Sequence, residues 1–224
     1  MALSTVTRLE RDPEQASCCR VYLDHQFAFS VHEDIVVRHL LRPGLQLDEA
    51  AVRGIVRDDE CHRAFRAGLK FVGTRPRTAR EVARKLRADG WEPEVIEEVL
   101  ERLRSLRYVD DEAYTRTLVE NRLHSRKKGK VWIANELKQK GVDRDVIERA
   151  LSAVSEEEER RTAYELAVKK WRAEPPHDVG KTARKVGAFL LRRGFSPSLV
   201  QSVVRELRSE EHTSELQSLR HIVC

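Results

Sequence analysis

At 224 residues and 25.9 kDa the chain can hold one domain of ordinary size or several small units that share surfaces; with 35% charged and only 6% aromatic residues, one deep core is not expected. No stretch approaches the apolar length that crosses a bilayer, and the opening MALSTVTRLERD lacks the apolar core of a signal peptide, so a cytoplasmic protein with no membrane partner is expected. A net charge of +5, from 42 basic and 37 acidic residues, is too small an excess to establish nucleic-acid binding until the placement of the charges is known.

Residues 1–57 form an extension that reads differently from the rest. Val21 and Leu23, then Phe27, Phe29 and Val31, alternate with other residues around Asp24-His25, which predicts a small β-hairpin. From Glu33 to about Gly54 the pattern gives one or two short helices broken at Pro43-Gly44, and from Asp58 onward it is helical almost without interruption. Cys18, Cys19, Cys61 and Cys224 include no C-x-x-C pair and are expected to be free thiols.

The helices then repeat. Gly90, Gly141 and Gly194 stand 51 and 53 residues apart, preceded four residues earlier by Leu86, Leu137 and Leu190 and eight earlier by Val82, Ile133 and Val186. Each glycine is followed by an apolar residue (Trp91, Val142, Phe195), the pattern of a helix that ends on a left-handed glycine with the next side chain folded back on the leucine. Glu92, Asp143 and Ser196 occupy the cap position of the next helix; Pro93 and Pro197 follow, and apolar pairs recur at Val95-Ile96, Val146-Ile147 and Leu199-Val200. With first helices at Asp59–Gly73, Asp110–Arg126 and Glu156–Ala173, the chain is predicted to be mainly α. It contains three tandem three-helix repeats, residues 58–107, 108–155 and 156–207, in an elongated modular arrangement, expected to be monomeric.

Within this frame Thr78 and Glu81 have capping-box spacing, and Asp110, Asp111 and Glu112 put negative charge at a helix N-terminus, which accounts for those carboxylates without catalysis. Three segments carry a family resemblance: Arg75-Pro76-Arg77-Thr78 with Glu81, Arg107-Tyr108-Val109-Asp110-Asp111-Glu112-Ala113-Tyr114, and Gly129-Lys130-Val131-Trp132-Ile133-Ala134-Asn135-Glu136-Leu137-Lys138-Gln139-Lys140-Gly141-Val142. From Thr5 to Leu207 the chain resembles the RecX regulatory proteins, departing from the family pattern at Arg107, where the family usually has Gly, and at His25, where it often has an Asp-Gly turn. The resemblance implies a non-enzymatic protein of DNA repair, homologous recombination and the SOS response. Such a protein lies in the groove of the RecA filament on DNA and obstructs strand exchange, filament growth and RecA-assisted cleavage of the SOS repressor.

Charge is distributed by helix. Six basic residues against one acidic lie between Arg75 and Arg87: Arg75, Arg77, Arg80, Arg84, Lys85 and Arg87. Five with no acid lie between 122 and 130 (Arg122, Arg126, Lys127, Lys128, Lys130), with Lys138 further on, and five more between 181 and 193 (Lys181, Arg184, Lys185, Arg192, Arg193). These seventeen residues, recurring with the unit, are the candidate surface for a RecA filament or for single- or double-stranded DNA. Several weak contacts at high effective concentration make the expected mechanism multivalent, so removing the third copy is expected to weaken inhibition far more than it disturbs folding of the first two.

The competing reading is a DNA-binding helical module, but third helices as acidic as Glu92, Glu94, Glu97, Glu98 and Glu101 do not suit a base-reading helix. Gly180-Lys181-Thr182 lacks the upstream glycine of a phosphate-binding loop, and His25, His32 and His39 have no further ligand to complete a metal set; no catalytic residue, metal or cofactor is expected. Trp132 and Trp171, near apolar helix positions, read as core. Residues 208–224 resemble the peptide read from sequencing-adapter DNA and are read as a non-native tail, outside the fold and the function.

Overall fold

Leucine, valine and alanine at three- and four-residue spacing can be buried only by helix-on-helix packing, and the computed structural model shows that packing throughout residues 58–207. It describes residues 3–174 and 178–220, with side chains through Ser209, and divides into two units, residues 1–109 and 110–224.

The first unit opens with β1 (Leu3–Arg11), β2 (Cys18–Leu23) and β3 (Gln26–His32), then α1 (Glu33–Arg38) and β4 (Gln46–Asp48). The expected hairpin is β2–β3, part of an antiparallel four-stranded sheet ordered β3-β2-β1-β4. Asp24 and His25 both adopt positive φ (48° and 68°), as a two-residue hairpin turn with right-handed strand twist requires. The cost of non-glycine residues there is offset by two bonds to β1: Asp24 Oδ1 accepts from the Thr5 amide (3.0 Å), and the His25 amide donates to Thr7 Oγ1 (3.0 Å). Strands β1 and β4 have no clear alternating apolar signal, since β1 fully buries only Val6 and β4 only Leu47.

Asp48 caps α2 (Glu49–Val72) by accepting from the Ala51 amide at 2.7 Å, and the helix then runs unbroken for 24 residues, through Gly54 and through the point between residues 57 and 58. Its first turns pack on Val6, Val21, Val31, Ile35 and Leu47 through Ile55. Its later turns, with α3 (Ala79–Ala88) and α4 (Pro93–Ser105), close a second core of Val82, Leu86, Val95, Val99 and Leu103. Buried Asp59 ties sheet to helix by accepting the His32 amide (2.7 Å) and Arg63 Nε (2.7 Å).

In the second unit α5 (Asp111–Glu120) continues into a π-helical turn at Asn121–Ser125 and is followed by α6 (Lys130–Gln139) and α7 (Arg144–Ser152). The third copy is α8 (Glu156–Arg172), α9 (Val179–Arg192) and α10 (Pro197–Arg220). Gly90, Gly141 and Gly194 all take positive φ (90°, 76°, 86°). The amides of Trp91, Val142 and Phe195 donate back to the carbonyls of Leu86, Leu137 and Leu190, as the repeat spacing predicts. The Thr78–Glu81 capping box forms, and Asp110 accepts from the Ala113 amide. Of the three interhelical caps, only Ser196 bonds through its side chain; Glu92 and Asp143 do not.

The second and third copies are seamed at the backbone: the Gly129 amide donates to the Arg193 carbonyl (3.0 Å) and the Val131 amide to the Gly194 carbonyl (3.1 Å). Removal of the third copy, expected to weaken inhibition far more than it disturbs folding of the first two, would also cut these backbone bonds, because α6 begins against the end of α9. Trp171 is buried and Trp132 packs on the second copy's core. Cys18, Cys19 and Cys61 are free, whereas Cys224 and the end of the expected non-native tail, residues 221–224, lie outside the described residues.

Candidate partner-binding surface

On α3 the apolar positions Ala79, Val82 and Leu86 face inward, which leaves Arg80, Arg84 and Arg87, at i, i+4 and i+7, exposed along the opposite side. Among the described residues these three arginines make no ion pair. Arg75 and Arg77 behave otherwise: Arg75 Nη2 lies 3.4 Å from the buried Glu81 carboxylate, and Arg77, 4.0 Å from it, has its guanidinium carbon over the Phe71 ring at 4.1 Å. Lys85 pairs with Asp89 one turn on.

The second copy turns most of its basic run inward. Arg122 holds Glu136 in a two-pronged bridge (Nε and Nη2, 2.7 Å each), and this hydrogen bonding raises the guanidinium pKa above its usual value. Lys128 sits 4.4 Å over the Trp132 ring; burial first, then the nearby Arg193, lowers its pKa. The remainder reach the third copy or its approach. Lys127 bonds Glu165 (2.5 Å), the Lys130 amide donates to Glu159 (2.8 Å), and Lys130 Nζ donates to the Val154 carbonyl (2.6 Å). From the other side Arg193 donates to the Arg126 carbonyl at 2.9 Å and lies over Phe189. Of the basic residues selected in this copy, Arg126 and Lys138 have side chains that are exposed without an ion pair among the described residues.

On α9, capped by Asp178, the buried positions are Thr182, Ala183, Val186 and Leu190, and Lys181, Arg184 and Arg192 stand opposite them, exposed and without an ion pair among the described residues. Lys185 is taken up by Glu174, which it shares with Lys170 (2.5 and 2.6 Å); those two hydrogen bonds lower the Glu174 pKa to about 2. Gly180-Lys181-Thr182 is the first turn of this helix rather than a phosphate-binding loop.

The seventeen sequence-selected residues therefore fall into two physical classes. One class makes ion pairs, hydrogen bonds or ring contacts within the fold, and the other, on the outward faces of second helices apart from Arg126, is exposed without an ion pair among the described residues. In the second copy sequence spacing alone could not separate them, because acceptors lie far away in sequence, as Glu165 does from Lys127 and Glu159 from Lys130. One signal was available: Arg77, Lys128 and Lys181 all stand thirteen residues before their glycine, and two of the three cover an aromatic ring. A cavity of about 450 Å³ also opens between α5, α7 and the start of α8 over Val119, Leu123 and Val154, its rim bridged by Arg149 and Glu112 at 2.7 Å. No described helix is long and apolar enough to cross a membrane.

Comparison with known proteins agrees with this architecture copy by copy. Family models of the first, second and third three-helix domains of RecX match residues 64–103, 110–151 and 156–204. The regulatory protein RecX of Clostridium acetobutylicum is 31% identical over 216 residues, 95% of this chain and 100% of that protein. That of Geobacillus thermodenitrificans is 34% identical over 200 residues, 87% of this chain and 72% of the relative. A crystal structure of regulatory protein RecX superimposes with a TM-score of 0.71 at 27% identity, covering 89% of this chain and 98% of that one. Three matched domains in the right order, on a helical fold shared nearly end to end, place this chain in the RecX family of regulatory proteins.

Proposed function

We propose that this chain is a non-enzymatic regulator that binds the RecA nucleoprotein filament and inhibits or modulates its recombinase, ATPase and SOS coprotease activities. The observation that carries the reading is the recurrence, on the second helix of every copy, of basic side chains that make no ion pair among the described residues: Arg80, Arg84 and Arg87, then Lys138, then Lys181, Arg184 and Arg192. A filament offers the same acidic or phosphate-bearing surface again and again, so a repeated ridge engages it at several points, each weak, with high effective concentration after the first. Membership of the RecX family supports the partner, and the charge pattern supports the surface.

The test adds the purified chain to RecA, single-stranded DNA and ATP and follows ATP hydrolysis and strand exchange, with binding to DNA alone as control. Suppression of both activities at concentrations where DNA alone is unbound is the expected result. Tight DNA binding that leaves RecA untouched would favour a DNA-binding module acting without RecA.

A further inference from the structure

The first unit brings together a residue cluster that the spacing of its histidines conceals. His32 closes β3 and Asp34 lies two residues on in α1, while His62 arrives from α2, thirty residues later; the two imidazole rings lie 4.6 Å apart between centroids. Asp34 Oδ2 is 3.4 Å from His32 Nδ1 and 3.3 Å from His62 Nε2, and one ligand atom from each residue lies within 4.8 Å of the others. Around a tetrahedral zinc ion with bonds of about 2.0–2.1 Å, neighbouring ligand atoms stand roughly 3.3–3.4 Å apart. Two edges of such a tetrahedron already have that length.

Independent of this spacing, the imidazoles are short of partners of the right kind. His62 is only 8% exposed, and its Nε2, buried and without a hydrogen bond, has the Asp34 carboxylate beside it but out of line. His32 has the opposite mismatch: Nδ1 faces the Asp34 amide (3.1 Å) and Nε2 faces the Arg66 guanidinium, two donors for a ring that in its neutral form has one lone pair.

We propose that His32, Asp34 and His62 form a binding site for one divalent transition-metal ion of the zinc type. Two imidazoles and one carboxylate suit zinc, cobalt or nickel, whereas calcium and magnesium need more oxygen ligands than the cluster provides. Asp34 is 61% exposed, so the fourth position opens to water. Coordination at His32 Nδ1 takes the lone pair that otherwise accepts from the Asp34 amide and leaves the proton on Nε2, so the α1 cap bond is given up and the exposed Arg66 side chain swings out towards solvent. Buried Asp59, which accepts the His32 amide at 2.7 Å, fixes the strand end that carries the first ligand. The ion would staple the end of β3 and the start of α1 to the middle of α2, joining the sheet to the first three-helix copy.

The test uses the full chain stripped with a chelator and titrated with zinc chloride by calorimetry and with cobalt(II) by visible absorption. One equivalent per chain, a cobalt spectrum of four-coordinate intensity and a raised melting temperature are expected. His62→Ala should weaken binding at least tenfold; because it also removes a buried ring packed on His32, its apo melting temperature should fall, and the exposed Asp34 provides the variant that leaves packing intact. Asp34→Asn should weaken binding less, and His39→Ala and Cys61→Ser should bind as the parent does. Absence of stoichiometric binding, or one equivalent retained by a folded His62→Ala chain, would overturn the assignment.

Discussion

Gly129 and Gly194 meet backbone to backbone, with the Gly129 amide bonded to the carbonyl of Arg193 and the Gly194 carbonyl accepting from Val131. A Cβ on Gly129 would strike the Gly194 carbonyl, and one on Gly194 would strike the backbone and Cβ of Trp132, atoms that cannot rotate away. Gly129→Ala should therefore destabilise the chain by about 1–3 kcal/mol, the range for overpacking. Gly194→Ala should cost more, because its φ of 86° adds about 1–2 kcal/mol of left-handed strain. Gly90→Ala, with φ 90° and nothing within 4 Å of its Cβ, isolates the strain alone. Urea denaturation measures all three, and equal losses for Gly90→Ala and Gly194→Ala would mean that the close approach contributes nothing.

The same seam bears on how the second unit can be cut. A fragment of residues 110–155 loses the partners of Gly129, Lys127 and Lys130, whereas 110–220 keeps them. The longer fragment should melt cooperatively by circular dichroism and the shorter one should show a broad or lost transition.

Arg107 ends α4 at φ 58°, the left-handed position that glycines fill at the ends of α3, α6 and α9, and the Tyr108 amide donates back to Leu103 at 2.9 Å in the same pattern. Arg107 is where the RecX pattern usually has glycine. Relief of the Cβ strain should make Arg107→Gly more stable, by about 0.5–1 kcal/mol after the greater chain entropy of glycine is subtracted. A denaturation midpoint that falls instead would show that the arginine side chain contributes more than its backbone costs.

Unpaired and paired arginines should respond differently to substitution. Combined Arg80→Glu, Arg84→Glu and Arg87→Glu should leave the melting temperature nearly unchanged and weaken inhibition of RecA by tenfold or more, with a smaller salt dependence of binding. Arg122→Ala breaks a partly buried two-pronged bridge to Glu136, whose carboxylate is then left without it, and should cost about 1–3 kcal/mol of stability. If the triple variant inhibits as the parent does, the α3 ridge is a solvated face.

Glu174 sets an acid limit. Its pKa falls from 4.5 to about 2 in the folded chain because Lys170 and Lys185 both donate to it. The unfolded chain therefore binds more protons than the folded one across that window. The stabilisation is present above about pH 4.5 and is lost as pH falls towards 2. Glu174→Gln should lower stability at neutral pH and flatten the decline between those limits, read as melting temperature against pH.

Much of the fold was legible because it rests on short-range rules. The glycines at 90, 141 and 194, the leucines four residues before them and the Thr78–Glu81 box each specify a helix end or start from residues within one or two turns. Asp24-His25 likewise announced its hairpin. What escaped was set by contacts between distant segments. Strand β1 has no apolar alternation and is a strand because β2 and β4 satisfy its two edges. Asp143 has the right chemistry for a cap yet makes no side-chain cap bond.

The sequence by itself determined the repeat, the helical class and which helices are basic, since these follow from residue type at fixed spacing, and the family through the resemblance of its motifs. Only the tertiary structure decided which of the selected basic side chains have no ion pair among the described residues. Charges adjacent in sequence, such as Lys127 and Arg126, part company when one meets Glu165 across the seam and the other faces solvent. The same holds for His62, which joins His32 and Asp34 only because α2 folds back along the sheet and buries it there. An ion pair or a ligand set is a property of positions in space, and spacing along the chain does not encode it when the partners lie on different elements.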